Sequence, residues 1–276
     1  MSNKVVKAVY KEDDLSTSNH YHDCHQILFI TDGEVDVHRD GGVYTAKCGQ
    51  ILFFNRFEEH LIRVNKAINY KRFVLNISPK VDESVPIGYK KFSVLFNRPV
   101  GLDIVLDVGN QFSVFESIFT RIVEEVDKKD DVNEDMLCIY LQELLLNFLR
   151  YFPERFSYFE DEKGELVYKI QKEFEVNYST EVSLEDLSKK YNISQSYLSH
   201  VFKEITGKSV KGYLLACRIA AAKKYLAKTD KRISEVVELC GFSDSSNFGR
   251  IFRKITGLSP VEFRRKYYNK EFVMVD

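Results

Sequence analysis

The sequence predicts an α+β chain in two parts. A β-rich amino half closes into a barrel or sandwich and carries its own following helices, and an all-α carboxyl half is built from two helix-turn-helix units. Three observations predict this. Short alternating or apolar runs separated by turn signals fill residues 26–77, and after Leu106 the hydrophobic period lengthens to a helical one. The third is a phrase, Val201-Phe202-Lys203-Glu204-Ile205-Thr206-Gly207-Lys208-Ser209, that returns fifty residues later as Ile251-Phe252-Arg253-Lys254-Ile255-Thr256-Gly257-Leu258-Ser259.

Taken in order, Ile27-Leu28-Phe29-Ile30-Thr31 is a first strand ending at Asp32-Gly33. Val35, Val37 and Arg39 alternate with Glu34, Asp36 and His38 up to Asp40-Gly41-Gly42, and Ile51–Phe54 and Tyr70–Ile77 follow. Phe112, Phe115, Phe119, Ile122 and Val126 recur at helical spacing. Met136–Phe152 is apolar nearly all round, so that helix must be covered on more than one side, by its own barrel, by a neighbouring subunit, or by both. Pro153 follows, and Glu160-Asp161-Glu162-Lys163-Gly164 reads as a polar break across which the two halves reorient. The expected organisation is a barrel over 1–106, a helical dimerisation and linker region over 107–159, and two helix-turn-helix units over 165–268.

Composition narrows the class. The 276 residues are 44% apolar and 29% charged, the balance of a globular chain. No apolar run approaches the roughly 18 residues that cross a bilayer, and the first residues lack a signal-peptide core. Five cysteines, odd in number and never C-x-x-C, fit a reduced cytoplasmic protein. The net charge of −1 divides into about +6 over residues 165–276 and −7 over 1–164, so the carboxyl half is the part suited to a polyanion.

Within that half, Ser194 and Asp244 stand at matching helix starts, where their side chains accept from free amides. Leu198, Phe202 and Ile205 match Phe248, Phe252 and Ile255 as the buried side of each second helix. The opposite sides carry Ser196, Ser199, His200 and Lys203 in one copy, and Ser245, Ser246, Gly249, Arg250 and Arg253 in the other. Small and basic side chains on one face suit a helix entering the major groove, roughly 12 Å wide. Arg250 is placed to pair with guanine, and Lys203 and Arg253 to meet phosphate. A solvated polar face has the same composition, but the duplication favours reading of a duplex.

Residues 165–268 resemble the DNA-binding domain of AraC/XylS-type transcription regulators. The resemblance lies in Arg218-Ile219-Ala220-Ala221-Ala222-Lys223-Lys224-Tyr225-Leu226, similar to that family's joining helix, and in Gly241–Phe248 through Pro260-Val261-Glu262-Phe263-Arg264. It implies that one monomer contacts adjacent major-groove segments. The residues implied to face bases are Ser196, Ser199, His200, Ser245, Ser246, Gly249 and Arg250.

In the amino half, His20, His22, Gln26 and Gly33 fall at H-x-H-x3-Q-x6-G, which resembles the first cupin motif with an amide in place of its glutamate. Gly49–Phe54 leading to His60 resembles the second. The resemblance implies a cupin-like β-barrel with His20, His22, Gln26 and His60 at its mouth. These groups would contact a sugar-like effector, serve structure, or hold a metal weakened by loss of the carboxylate.

The function expected is therefore a sequence-specific, DNA-binding transcription regulator, an activator, controlled by a small-molecule effector in the amino barrel. Its partners are double-stranded DNA, the effector, a second copy of the chain and RNA polymerase, with no membrane, cofactor, metal or catalytic residue. Two alternatives stand beside it: a metal-dependent cupin enzyme joined to a DNA-binding module, and a ligand-independent DNA-binding protein.

Overall fold

The computed structural model describes residues 6–12, 22–39, 42–64, 69–78, 105–156 and 162–268. The chain divides into two compact units between Glu165 and Leu166. Among the described residues no helix is long and apolar enough to cross a membrane.

The amino unit holds eight described strands: β1 (Val6–Glu12), β2 (His25–Asp32), β3 (Glu34–Arg39), β4 (Gly42–Lys47), β5 (Gln50–Phe54), β6 (Leu61–Val64), β7 (Lys71–Ile77) and β8 (Val105–Asp107). They form an antiparallel five-stranded sheet, β1-β7-β2-β5-β8, and a three-stranded sheet, β4-β3-β6. Strand alternation sends Leu28, Ile30, Leu52, Phe54 and Val74 to one face of the larger sheet, where they meet Val35, Val37, Ala46, Ile62 and Val64 of the smaller. The other face carries Ile27, Phe29, Ile51, Phe53, Phe73, Leu75 and Ile77, which pack against two helices, α1 (Phe112–Val126) and α2 (Asn133–Tyr151). Burial on both faces is why β2 and β5 read as unbroken apolar runs rather than as alternation.

Phe115, Ile118, Phe119 and Ile122 of α1 join Leu137, Leu141, Leu144, Leu145 and Phe148 of α2 in this helix-side core. Arg121 donates to Glu143 at 2.7 Å between the two helices and lies 4.9 Å from the Tyr140 ring. The short helix α3 (Pro153–Phe156) follows.

After the helix that contains the division between the units, α4 (Glu162–Asn177), the carboxyl unit holds α5 (Leu184–Lys190), α6 (Gln195–Thr206), α7 (Val210–Lys228), α8 (Ile233–Leu239), α9 (Ser245–Thr256) and α10 (Pro260–Tyr267). Glu162, Lys163 and Gly164, expected as part of a polar break, are instead the first turn of α4. Phe174 of α4, Phe202 of α6 and Tyr213 of α7 form one aromatic group. Farther along α7, Ile219, Ala222 and Leu226 enter a second core with Val236, Phe248, Phe252 and Phe263. The long helix α7 thus belongs to both halves of the unit.

The repeated phrase is a device for ending one helix and starting the next. Thr206 Oγ1 donates to the Phe202 carbonyl at 2.7 Å, and Thr256 does the same to Phe252 at 2.8 Å. Gly207 and Gly257 then take left-handed conformations, φ 70° and 72°. A side chain there would cost about 1–2 kcal/mol, which is why glycine recurs. Two residues on, Ser209 and Ser259 cap the following helices by accepting from the amides of Gly212 and Glu262.

Candidate nucleic-acid interface and effector site

The two helix-turn-helix units are built alike. In each turn a residue with positive φ, Asn192 at 52° and Gly241 at 73°, lets the chain reverse. The following amide donates back into the first helix at 3.0 Å, Ile193 to the Ser188 carbonyl and Phe242 to that of Val237. The turns differ in length, four residues (191–194) against five (240–244). Ser194 accepts from Tyr197 N at 3.1 Å, and Asp244 accepts from the amides of Ser246 and Asn247.

These caps present the proposed reading faces outward. On α6, Ser196, His200 and Lys203 are exposed and Ser199 is half-buried beside them. On α9, Ser245, Ser246, Arg250 and Arg253 are exposed, with Gly249 half-buried. The buried sides are Leu198, Val201, Phe202 and Ile205 on α6, and Phe248 and Phe252 on α9. A Cβ added at Gly249 would meet nothing within 4 Å, so the centre of the α9 face is open enough for close approach of another backbone. Sequence reasoning missed Asn247, whose side-chain oxygen accepts from Arg250 Nη2 at 3.0 Å. Its i,i+3 spacing to Arg250 was the available signal. The α6 face has one described ion pair of its own, His200 with Glu204 at 3.8 Å when the imidazole is protonated.

In the amino unit, His22, Gln26 and His60 are brought together, each no more than 5% exposed. His20 lies outside the described residues. Gln26 and Asn76 are register partners on β2 and β7, and Gln26 Nε2 donates to Asn76 Oδ1 at 3.0 Å. The same nitrogen lies 3.3 Å from His22 Nε2. An amide nitrogen only donates, so His22 Nε2 accepts and its ring proton sits on Nδ1. His60 donates from Nδ1 to the Glu58 carbonyl at 3.0 Å and stacks on Phe54, ring centroids 4.1 Å apart. The two imidazole centroids are 5.2 Å apart.

What joins them is the turn at 55–58. Phe57 N donates to the His22 carbonyl at 2.8 Å, and Phe57 holds φ at 63°, a strained value for an aromatic residue. Its ring is fully buried, with the Arg56 guanidinium 4.5 Å from the ring centre. The described donors alone do not make up a set for a divalent metal. The amide of Gln26 is directed at Asn76 and His22, the lone pair of His22 Nε2 is engaged, and among the described residues no three His, Cys, Asp or Glu side chains converge as ligands. The arrangement is a buried hydrogen-bonding group at one end of the apolar layer between the sheets.

A third surface lies on the outer side of α1 and α2. Ile139 is 55% exposed and Leu146 42%, and with Val114, Gln142, Glu143, Asn147 and Arg150 they line a groove of about 530 Å³. Leu145, by contrast, is 1% exposed, and Leu149 is half-buried against the same core. Leu145 therefore belongs to the helix-side core, and Leu149 packs against it.

Residues 8–142 match the model of the AraC-like ligand-binding domain, and residues 187–266 match that of a helix-turn-helix domain. The chain is 29% identical to the Msm operon regulatory protein of Streptococcus mutans in a match spanning 58% of each chain, less than two thirds of that relative. It is 25% identical to the lactose operon transcription activator of Staphylococcus xylosus, over 86% of this chain and 82% of that protein. Among solved structures, ToxT from Vibrio cholerae superposes with a TM-score of 0.62 at 12% identity, covering 95% of this chain and 98% of that one, a likeness of fold.

Proposed function

We propose, for a chain that belongs to the AraC family of DNA-binding transcription regulators and is not an enzyme, that one monomer reads two successive major-groove segments under control of an effector held by the amino unit. The observation that carries this reading is the pair of capped helices, α6 and α9, each with a buried apolar side and an exposed side of small and basic residues. The residues proposed to meet DNA are Ser196, Ser199, His200, Lys203, Ser245, Ser246, Gly249, Arg250 and Arg253. Those on α9 supply most of the positive charge.

Support for a sugar-like effector comes from a relative named as a lactose operon activator, and from the chemistry of His22, Gln26 and His60 with Asn76. Neutral imidazoles and amides donate and accept hydrogen bonds, as hydroxyl-rich molecules require. A ligand acts as a switch only when it binds the competent and incompetent states with different affinity. Activation through RNA polymerase and a cytoplasmic location complete the reading. A homodimer is part of it as well, supported by the exposed pair Ile139 and Leu146 on α2.

Footprinting of the intact chain on duplex selected from a random pool tests the reading. Two protected major-groove segments about 10 base pairs apart per monomer are expected. Protection of one short segment per monomer would overturn it.

A further inference from the structure

The two reading helices are tied together by more than the helix that joins them in sequence. Arg218, in the middle of α7, donates from Nε to the Tyr178 carbonyl at 2.8 Å and from Nη2 to the Thr180 carbonyl at 3.0 Å. Both carbonyls lie in the loop that leads into α5, about forty residues upstream. On its other side the guanidinium sits 5.8 Å from the ring centre of Phe242, in the turn of the second unit. Phe242 in turn meets Phe248 of α9 edge-on at 5.0 Å.

The same loop touches the second turn directly. A Cβ built at Gly241 would fall 2.4 Å from the Ser179 carbonyl oxygen, closer than atoms approach, so only glycine lets the two segments meet. Tyr178 also shares a hydrogen bond with Tyr225 of α7. One loop of the first unit, the centre of α7 and the turn of the second unit therefore converge on Arg218. A planar guanidinium reaches two carbonyls and an aromatic ring at once, whereas an ammonium is a single point of charge.

From this convergence we infer that Arg218 is a positioning residue for DNA recognition: it fixes the separation and rotation at which α6 and α9 are presented, and so sets the half-site spacing the protein accepts. This rests on the reading that both helices enter the duplex. Arg218 itself touches no DNA in this account. Its effect is on the pair of helices and not on either one.

The test uses the intact chain and three duplexes: the one selected by the wild type from a random pool, the same duplex with one base pair inserted between the protected segments, and a duplex keeping only the α9 segment. The wild type should lose about tenfold or more on insertion, comparable to a mismatched base pair. Arg218→Lys and Arg218→Gln should bind the selected duplex about tenfold more weakly, lose most of the insertion penalty, and keep wild-type affinity for the single segment. Single-segment binding reports folding of the second unit in the same titration. A variant that keeps the full insertion penalty overturns the inference, as does one that loses affinity equally for all three duplexes or fails to fold in both substitutions. A wild type that selects one segment removes the two-groove reading, and this inference with it.

Discussion

Asn247 Oδ1 accepts from Arg250 Nη2 at 3.0 Å, one turn apart on the exposed face of α9. The contact holds the guanidinium fork in one orientation before any partner arrives. Pre-orientation reduces the rotamer freedom lost on binding, which matters for a side chain as long as arginine.

Arg250→Ala is expected to cost about 1–3 kcal/mol on the selected duplex and much less on random DNA. Asn247→Ala should cost less than Arg250→Ala on the same duplex, because it removes orientation and not the contact. Paired titrations on specific and random DNA check both. Equal losses from Arg250→Ala on both duplexes would reduce Arg250 to a phosphate contact.

Lys203 stands at the exposed edge of α6. Lys203→Ala should weaken binding to all sequences alike and lower the slope of log affinity against log salt by about 1. Binding measured over a salt series decides this, and a sequence-dependent loss would contradict it.

The faces of α2 give opposite expectations for neighbouring residues. Ile139→Glu or Leu146→Glu should shift sedimentation from dimer to monomer while leaving the thermal transition in place, since both side chains are exposed. Leu145→Glu should unfold the amino unit, because a buried carboxylate without a partner costs several kcal/mol. A chain that stays dimeric with both Ile139 and Leu146 charged would move the interface elsewhere.

His22→Ala or His60→Ala should abolish the response of a reporter to inducer while the carboxyl unit keeps its affinity for DNA. Asn76→Ala should act in the same direction, since it frees the amide that fixes the tautomer of His22. A folded His22→Ala protein that remains fully inducible would remove His22 from the effector site.

Tyr178 and Cys240 are both pushed up to about 12, mainly by burial, from ordinary values of 10.0 and 9.0. Both are neutral when folded and ionise more readily when unfolded. Their contribution to stability is therefore whole below about pH 9 and is lost as the pH rises through 12. Alkaline titration followed by ellipticity should show the carboxyl unit melting in that window, with Cys240 resistant to thiol reagents below it. Free modification of Cys240 at neutral pH would count against a closed core.

Much of this molecule was legible because its signals are local. The capping Ser and Thr-Gly pairs stand next to the groups they serve, so Ser194, Ser209 and Ser259 announce helix starts on their own. Strands β2 and β5 showed as apolar runs. Strands β1, β4, β6 and β8 escaped because they are short or mixed, and β4 turns Val43 outward at 57% exposure. Partnerships across the chain could not be read at all. Asn76 lies fifty residues from Gln26, and Arg218 about forty from Tyr178. Their meeting is set by β-sheet register and by the path of a loop, not by spacing in sequence. The nearly all-round apolar character of α2 hid which of its residues face inward, so the buried Leu145 and the exposed Ile139 and Leu146 could not be told apart from the pattern alone.

The residues that form the Thr-Gly-x-Ser junctions are distinct from those that face outward on α6 and α9. Mutation can therefore alter what either helix addresses without loosening the joints at its end. The two faces already differ, with serine, histidine and lysine on α6 against serine, glycine and arginine on α9. On that view a descendant could acquire a new regulatory target by a few exchanges on one face, inheriting the rest of the framework intact.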